Sequence, residues 1–560
     1  GVTLDGSVIV APATLAAGNA IGFTVKSAFG GEMRNYSVTI ARNETAEVTD
    51  RQRVVAIGTG ETTFTLDLSS LKNVFDTDTE VYMVSLDGTI FTNISWVPAS
   101  QALVLEKATL SKHWGERDVT VVFAHKSGTT YDVFITVTVP VKIVTQVITT
   151  QQQFTDWNKV ANEVAGGGAG QYAGYFELGG NIDYGGEVYP TFWNWVEGRD
   201  DWQNADKYGF SGTFDGCGYA VKNLQLAGDN GSIFGLLKKG SVVENIAFTD
   251  YKGGNGSAGL CVTSKGTFEN VYIECTSHAG GINADRFGSF FGMWSSYPEA
   301  QVRHCLVDVR LDGADDLQNM LAIGKVYEGA GSLDGVYVIG MTRNLVEITE
   351  TLGGVKNVYG GYADYAAFID ANIDFSAWCA DFWTTPTGGI PYPNRLSQKV
   401  SITNSETTLG AGTELQITGD GTRRIYAVDE EAKGAGVTIS ATGMLTIPEN
   451  VKGITKVTVT VGTYNDPSDK ATKEFRIVTT TKITVSGRQD VYYYHGDDDL
   501  TFEIDLSAYG SQIQGTLASV SIDGEVFATK GYTWDKKLKL DRDTLLTHYG
   551  EQDIVAQFNQ

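Results

Sequence analysis

Residues 210–226 read FSGTFDGCGYAVKNLQL, a run of short apolar strands bounded by Gly and Asn bends. Similar fragments return along the chain, and their strands start at Asn245, Asn270, Cys305 and Gly335, which are 25 to 35 residues apart. One strand per coil at this spacing predicts a parallel β-helix, in which like residues stack and bury a continuous core. The further fragments are GSIFGLLKKGSVVENIAF from Gly231, GTFENVYIE from Gly266, AQVRHCLVDVRL from Ala300 and GSLDGVYVIG from Gly331.

The segment that contains these fragments, residues 145–397, resembles the GLUG-type right-handed parallel β-helix of secreted bacterial surface proteins. The resemblance rests on residues 210–226, on the SIFGLL and VVENIAF pair, and on the closing stretch IDFSAWCADFWTTPTGGIPYP. It implies coils with glycines in tight bends and an asparagine at a corner. It also implies a surface location and an adhesive or matrix function.

The corner position of that family can be followed along the sequence. Asn223, Asn245 and Asn270 match it residue by residue. Later coils depart from the pattern, because His304 and Asp334 stand where the resemblance leads us to expect asparagine. The number of coils therefore stays open at this point.

The end of the chain repeats its beginning. FTLDLSS from Phe64 returns as FEIDLSA from Phe502, and SLDGTIF from Ser85 returns as SIDGEVF from Ser521, with offsets of 435 to 438 residues across the match. Such a period is typical of tandem arrays, in which each unit contacts mainly its neighbours. We therefore expect the chain to be a fragment of a longer array that continues after Gln560 with a counterpart of KSGTTYDVFITVTVP.

Period-2 alternation of apolar and polar residues predicts sandwich domains on both sides of the β-helix. Residues 398–481 resemble the bacterial Ig-like (Big-type) family through a GMLTI strand followed by a VTVT strand, and residues 1–47 correspond to its second half. Residues 48–144 form a β-sandwich spacer of another type, which returns in truncated form at 482–560. The predicted fold is all-β, with a right-handed parallel β-helix at 145–397 flanked by Ig-like β-sandwich domains.

The amino-acid composition disfavours nucleic acid and membranes as partners. The 560 residues include 42 Lys and Arg against 67 Asp and Glu, and this net charge of -25 repels nucleic acid and anionic membranes. No run of 18 apolar residues appears, so we expect no membrane span in this sequence. The five cysteines show no metal-binding spacing, and we interpret them as free thiols packed as small hydrophobic side chains.

The glycan-binding candidates lie in the segment YPTFWNWVEGRDDWQN. Trp193, Trp195 and Trp202 could stack on the C–H faces of a sugar while Asp200 and Asp201 accept its hydroxyls. The alternative is that this loop folds over the open end of the β-helix and its rings plug the core. We favour the plug for most of the rings, with at least one ring left exposed.

Calcium is the only cofactor that the sequence suggests. Asp312, Asp315 and Asp316 form an acidic loop that offers oxygen ligands, although a solvated loop is the simpler interpretation. Acidic runs at 76–80 and 497–499 occupy corresponding places in the two spacer copies, where calcium would stiffen a junction. Solvated loops are the simpler interpretation there too.

Catalysis is not predicted. A β-helix enzyme that acts on polysaccharides needs carboxylates on successive coils, and we interpret Asp215 as a turn cap that lacks a periodic partner one coil away. We therefore expect a non-enzymatic, structural or adhesive segment of an extracellular fibre on a bacterial surface. Its expected partners are neighbouring repeats, glycans and host or cell-surface molecules. A bacteriophage tail or head fibre and a polysaccharide-active enzyme remain as alternatives.

Overall fold

The computed structural model is all-β and contains large sheets. The chain forms two compact units, Gly1–Thr385 with Pro391–Leu396 and Pro386–Ile390 with Ser397–Gln560. None of the described helices is long and apolar enough to cross a membrane. The structure describes residues 3–5, 8–10, 20–26, 33–39, 41–58, 60–128, 130–163, 173–189, 209–226, 232–253, 259–261, 263–278, 291, 300–310, 323–326, 331–340, 346–348, 357–396, 399–478, 501–509, 516–522, 525–526, 532–534, 537–541 and 552–559.

The described residues before Thr149 form strands, together with 3-10 turns at Ser69–Leu71 and Lys107–Lys112. The strands are β1 (Thr3–Asp5), β2 (Val8–Val10), β3 (Ala20–Lys26), β4 (Met33–Thr39), β5 (Arg42–Glu47), β6 (Gln52–Ile57), β7 (Thr63–Asp67), β8 (Thr79–Leu86), β9 (Thr89–Ile90), β10 (Ile94–Val97), β11 (Ala102–Glu106), β12 (Gly115–Ser127) and β13 (Thr130–Ile148).

The central part adds two helices, α1 (Gln151–Glu163) and α2 (Tyr365–Asp370). Its strands are β14 (Tyr175–Leu178), β15 (Ile182–Asp183), β16 (Val188–Tyr189), β17 (Thr213–Asp215), β18 (Ala220–Lys222), β19 (Gln225–Leu226), β20 (Leu236–Leu237), β21 (Val242–Gly253), β22 (Thr263–Ser264), β23 (Thr267–His278), β24 (Gln301–Val309), β25 (Ile323–Val326), β26 (Ser332–Ile339), β27 (Val346–Ile348), β28 (Asn357–Tyr362), β29 (Trp383–Thr384) and β30 (Tyr392–Pro393).

The last part contains helix α3 (Glu430–Gly434), and 3-10 turns lie at Asn394–Leu396 and Ser507–Tyr509. Its strands are β31 (Thr408–Gly410), β32 (Glu414–Gln416), β33 (Arg424–Val428), β34 (Thr438–Ile439), β35 (Met444–Thr446), β36 (Lys456–Thr463), β37 (Lys470–Val478), β38 (Thr501–Asp505), β39 (Thr516–Ile522), β40 (Glu525–Val526), β41 (Tyr532–Trp534), β42 (Lys537–Asp541) and β43 (Ile554–Asn559).

Two groups of antiparallel strands share a core before residue 144. One is ordered β10-β11-β7, and the other joins β9, β8, β12 and β13. Side chains along a strand point alternately to its two faces, so Phe64 and Leu66 of β7 are buried while their neighbours are exposed. They join Val84 and Val121 of the other group in one hydrophobic cluster.

Strand β13 continues the sheet beyond residue 144, where the sequence predicts the end of the spacer domain. Its first part pairs antiparallel with β12 and parallel with β5 and β6, while Gln146–Ile148 pair in parallel with Phe176–Leu178 of β14. Backbone hydrogen bonding is therefore continuous from the antiparallel strands into those that follow. The strand has no break at the predicted boundary between residues 144 and 145.

From β14 onward the strands form a parallel series, β14, β17, β21, β23, β24, β26 and β28, which we call the ladder. The segments between its strands differ in length. Phe176 pairs with Phe214, which lies farther along the chain from it than Phe268 lies from its own partner Val243. From β14 to β26 one register position is apolar and fully buried, so it forms the centre of the core, whereas Asn357 takes this position on β28. Its members are Phe176, Phe214, Val243, Phe268, Val302 and Leu333.

Helix α1 covers the first ladder strands. Its Phe154 and Trp157 are buried, and their rings lie 5.7 and 4.6 Å from the ring of Phe214. Trp157 also packs 5.7 Å from Phe176 of β14. The aromatic residues that close this end of the core are thus supplied by a helix that the sequence analysis did not predict. The predicted plug, residues 191–204, lies outside the described residues.

A strap, residues 365–385 and 391–396, follows the ladder and packs along its side. Near a late ladder strand, Trp378 stacks on Tyr337 with 6.2 Å between ring centroids. Near an early one, the guanidinium of Arg395 lies 4.2 Å from the ring centroid of Tyr219. The strap therefore spans the ladder from β26 back to the turn after β17.

The second unit repeats part of the first. Strands β38, β42 and β41 form a sheet with the same order as β7, β11 and β10, and β40, β39 and β43 match β9, β8 and β12. Before them, the sheets β31-β37-β36-β33 and β32-β35-β34 enclose a core that includes Leu445 and Val459. The internal repeat in the sequence therefore has a counterpart in strand arrangement.

Candidate functional site

Four carboxylates occupy one register position on consecutive ladder strands, beside the buried apolar position. Glu177 pairs with Asp215, Asp215 with Glu244, and Glu244 with Glu269. Adjacent strands lie about 4.8 Å apart, so these side chains are close neighbours. We call these four residues the acidic column. Arg303 and Asp334 continue the same register position on β24 and β26.

Two cations from the preceding strands neutralise the start of the acidic column. Arg53 of β6 donates two hydrogen bonds to Oε2 of Glu177, at 3.0 Å from Nε and 2.5 Å from Nη2. Lys142 of β13 places Nζ 3.0 Å from Oε1 of Glu177 and 3.7 Å from Oδ2 of Asp215. Burial opposes the charge of Lys142, yet its bond to Glu177 and the nearby carboxylates raise its pKa.

Asp215 is buried and accepts three further hydrogen bonds. The hydroxyl of Tyr175 donates to Oδ2 at 2.9 Å, and the backbone N–H of Cys217 and Nδ2 of Asn245 donate to Oδ1 at 2.8 and 3.2 Å. The predicted turn-capping role of Asp215 is confirmed by the Cys217 bond. The prediction that it lacks a partner on the next coil is wrong, because Glu177 and Glu244 flank it in register.

The unequal loops explain that error. The two partners of Asp215 lie at different distances along the chain, since Glu177 is farther before it than Glu244 is after it. No constant period connects them, and the residue type changes between Asp and Glu. A search for a regular acidic repeat therefore passes over the column, although the apolar residue before each carboxylate marked the register.

The oxygen and sulfur atoms of Glu177, Asp215 and Cys217 lie within 4.8 Å of one another, a spacing suited to a metal ion. One feature disfavours an ion, because the ammonium group of Lys142 already bridges Glu177 and Asp215. Without an ion, burial raises the pKa of the Cys217 thiol to about 12, so the thiol is protonated at neutral pH. We interpret this group as an internal ion-pair network.

Glu244 is the residue of the acidic column whose pKa is strongly raised. Burial, with the charges of Asp215 and Glu269 on both sides, raises its pKa to about 7, although Lys142 and a hydrogen bond with Tyr175 act in the opposite direction. Desolvation and like charges both disfavour the ionised carboxylate. Glu244 therefore titrates near neutral pH, where a carboxyl group can donate or accept a proton.

The corner residues next to the acidic column also form a series. Asn245 and Asn270 have left-handed backbones with φ of 52° and 53°, and His304 and Gly335 follow with 53° and 67°. Asparagine tolerates this conformation better than most residues, because its short polar side chain bonds locally. The expectation that Asp334 occupies the corner is wrong, because Asp334 pairs with Arg303 and leaves the corner to Gly335.

Asn223 lies at a different corner. The residue before it, Lys222, pairs with Thr249, and Asn223 donates a 2.8 Å hydrogen bond to Asp183. Asp250 shares its left-handed backbone, with φ of 51° against 52°. The ladder therefore has two corner series, and the assignment of Asn223 to the position of Asn245 is wrong. Both corners carry Asn, so sequence alone did not separate them.

A second charged cluster lies farther along the ladder. Arg310 bonds to Glu274 and Asp308 at 2.8 Å each, and the hydroxyl of Tyr365 in the strap donates to Asp308 at 3.1 Å. Glu274 and Asp308 are paired in register and both are buried. Arg310 thus compensates two adjacent buried carboxylates, as a structural ion pair requires.

The glycan-binding candidates Trp193, Trp195, Trp202, Asp200 and Asp201 lie outside the described residues, as do the calcium candidates Asp312, Asp315 and Asp316. Both proposals for those loops stay predictions. The prediction for cysteine is confirmed: all five thiols are free, and Cys261, Cys275 and Cys305 are buried.

Comparison with known proteins adds no assignment. No family model, curated protein or solved structure matches the chain.

Proposed function

We propose that this chain is a structural and adhesive segment of a long repetitive extracellular fibre or stalk. The observation that carries the proposal is strand β13, which belongs to the antiparallel strands at one end and to the parallel ladder at the other. A shared strand joins its neighbours through backbone hydrogen bonds instead of a flexible linker. That is the connection a load-bearing shaft needs.

Side-chain contacts support the same role. Arg53 and Lys142 lie on strands before the ladder, and both bind Glu177 on its first strand. These ion pairs neutralise the charge at the start of the acidic column and fasten β14 to the strands before it. The sequence repeat supports a tandem arrangement, because such arrays are quasi-one-dimensional and extend by adding units.

The fold proposal is a right-handed parallel β-helix, the ladder being one of its faces, between Ig-like β-sandwich domains. Strands β17, β18 and β19 pair in turn with successive parts of β21, which is how one coil lies on the next. The proposed location is the surface of a bacterium, with neighbouring repeats and surface glycans as partners. A phage fibre is the alternative location.

Immunogold labelling tests this proposal directly. An antibody raised against the purified chain should label producing cells without permeabilisation, at a distance from the envelope that exceeds the length of one unit. Label confined to permeabilised cells would contradict it. The mass in solution adds a second test, because a phage fibre is expected to trimerise, whereas a cell-wall stalk is expected to be monomeric.

A polysaccharide-active enzyme is the second candidate, and the acidic column favours it. Asp215 and Glu244 pair in register on adjacent strands, so two carboxyl groups lie side by side, and glycosidases act through such a pair. A pKa of about 7 suits Glu244 to a general acid. Hydrogen bonds from Tyr175, Asn245 and the backbone of Cys217 occupy the oxygens of Asp215. Lys142 also lies 3.7 Å from Oδ2, and for these reasons we rank this candidate second.

The enzyme candidate is tested by incubating the chain with neutral and acidic polysaccharides and measuring reducing and unsaturated ends. We expect no release. Release that disappears in Glu244→Gln, while Glu116→Gln stays active, would replace the structural proposal with the enzymatic one.

A further inference from the structure

The outer face of the antiparallel strands carries a cluster of aromatic rings that takes no part in the contacts supporting the proposed structural role. Tyr82 of β8 is 59% exposed, and its ring lies 5.9 Å from that of Tyr131 and 5.1 Å from that of Phe134, both on β13. Between these strands runs β12, where Ala124 pairs with Phe134 on one side and with Glu80 on the other. The small side chain of Ala124 leaves the rings room to meet.

A β-bulge sets the direction of Tyr82. Val81 pairs with Phe123 and Met83 with Val122, so Tyr82 is an extra residue without a cross-strand partner. Bulges of this kind redirect a side chain and are frequent next to functional sites. The bulge therefore removes Tyr82 from the regular pairing of β8 with β12.

The second copy of the spacer shows that the ring is not required by the fold. Alignment of SLDG at 85–88 with SIDG at 521–524 puts Ala518 at the position of Tyr82. Strand β39 retains the bulge, because its register shifts between Leu517 and Ser519. The same alignment puts Thr516 at the position of Glu80. The first copy thus carries an aromatic ring and a carboxylate. The second copy lacks both and keeps the same backbone bulge.

A polar cleft adjoins the rings. Its volume is about 350 Å³ and its lining is mainly polar. Glu80 connects the two features, because it lines the cleft and accepts a hydrogen bond from the hydroxyl of Tyr131. The lining residues are Thr77, Asp78, Thr79, Glu80, Lys126 and Gly128.

We propose that this face binds a neutral saccharide, with a sugar ring stacked on Tyr82 and its hydroxyls bonded in the cleft beside Glu80. Sugars present apolar C–H faces to aromatic rings and hydroxyls to carboxylate, hydroxyl and ammonium groups. Asp78 and Glu80 outnumber Lys126, the one cation among the described lining residues, which disfavours acidic saccharides. This site does not depend on the proposed shaft function.

An ammonium ligand fits the rings less well. Tyr82 meets Tyr131 and Phe134 at interplanar angles of 77° and 74°, in edge-to-face contact. The edge of one ring then occupies the face of the next, whereas a cage for a cation needs several free faces around one point. Tyr82, which is 59% exposed, is then the one ring of the three that is open enough for stacking, and stacking on a single ring suits a sugar.

The test is binding of the whole chain to an array of neutral, acidic and amino saccharides. The key variant combines Glu80→Thr with Tyr82→Ala, the residues of the second copy, and should weaken retention of neutral saccharides by about tenfold or more. Tyr82→Phe keeps the stacking face and should bind within about threefold of the wild type. Tyr82→Phe keeps the ring contacts with Tyr131 and Phe134, so its unfolding midpoint should match that of the wild type. The double variant loses these contacts and the bond to Tyr131, so its retention is measured well below its own unfolding midpoint.

Three results would overturn the proposal. The first is no retention of any neutral saccharide by the wild-type chain, and the second is equal retention by the double variant. The third is retention on choline or polylysine resin that disappears in Tyr82→Ala, which would make the face a cation site. Ile90→Ala serves as the matched control, because Ile90 is 57% exposed on the same group of strands and does not line the cleft, so this variant should keep wild-type retention.

Discussion

Asn270 donates a 3.0 Å hydrogen bond from Nδ2 to Oδ1 of Asn245, the corner residue of the strand before it. The series continues in both directions. Asn245 donates to Asp215 at 3.2 Å, and Nε1 of Trp383 in the strap donates to Oδ1 of Asn270 at 3.3 Å. These bonds connect the acidic column, the corner and the strap.

Two replacements of Asn270 should separate what its backbone conformation and its hydrogen bonds each contribute to the free energy of unfolding. Asn270→Gly keeps the left-handed backbone accessible and loses two side-chain bonds, so we expect a loss of about 1–3 kcal/mol in the free energy of unfolding. Asn270→Ala adds a left-handed penalty of about 1 kcal/mol. Urea denaturation measures both, and a smaller loss for Asn270→Ala than for Asn270→Gly would show that backbone strain contributes less than the unfolded-state entropy of glycine.

Glu244 should make stability depend on pH. Its pKa is about 7 in the folded chain and returns towards its ordinary value of 4.5 on unfolding, so the folded state binds the proton more tightly. The stabilisation is complete below pH 4.5, falls as the pH rises, and is lost above about 7. Glu244→Gln should remove this slope.

The measurement is the difference in unfolding midpoint between the wild type and Glu244→Gln, taken from about pH 4 to about pH 8. Asp215, Glu269, Lys142 and Tyr175 are the groups around Glu244, and they are unchanged in this comparison. A difference that stays constant across the range would contradict the raised pKa.

Removal of Lys142 should lower the free energy of unfolding, because the carboxylates of the acidic column then lose a compensating positive charge. Lys142→Met keeps the apolar stem but leaves Glu177 and Asp215 with less compensation. Breaking a fully buried pair costs about 3–5 kcal/mol, and we expect about 2 kcal/mol here because 27% of the Lys142 side chain is exposed. Calorimetric unfolding provides the check.

The matched control is Glu116→Gln, which removes the exposed Arg51–Glu116 pair at 3.2 Å. Exposed pairs contribute about 0–1 kcal/mol. If the two variants lose the same stability, the network at Glu177 is no stronger than a surface ion pair.

Trp157→Ala should destabilise the chain by about 3–5 kcal/mol, because the side chain is buried among the rings of Phe176 and Phe214. Trp157→Phe retains much of the contact and should lose less. Chemical denaturation distinguishes the two. A loss below about 1 kcal/mol for Trp157→Ala would mean that helix α1 does not close the core.

The same measurement on the aromatic loop decides between its two interpretations. Alanine at Trp193, Trp195 or Trp202 should cost about 3–5 kcal/mol each if the rings plug the core. If they form a glycan platform, the unfolding midpoint should stay nearly constant and glycan retention should be lost.

The sequence by itself determined the strands and their repetition. Alternation of apolar and polar residues is local, so β7 and β11 could be predicted from a few residues, and the copy in β38 and β42 from simple alignment. The recurring apolar position from Phe214 to Leu333 was likewise visible, because each member lies within its own short strand.

Only the tertiary structure decided which side chains meet. In a parallel ladder, the neighbours of a residue lie on the adjacent strands, and their distance along the chain varies with the length of the intervening loop. The acidic column, the corner at Gly335 and the contact of Trp383 with Asn270 all depend on this register. Local patterns carry no information about loop length, so these contacts required the folded chain.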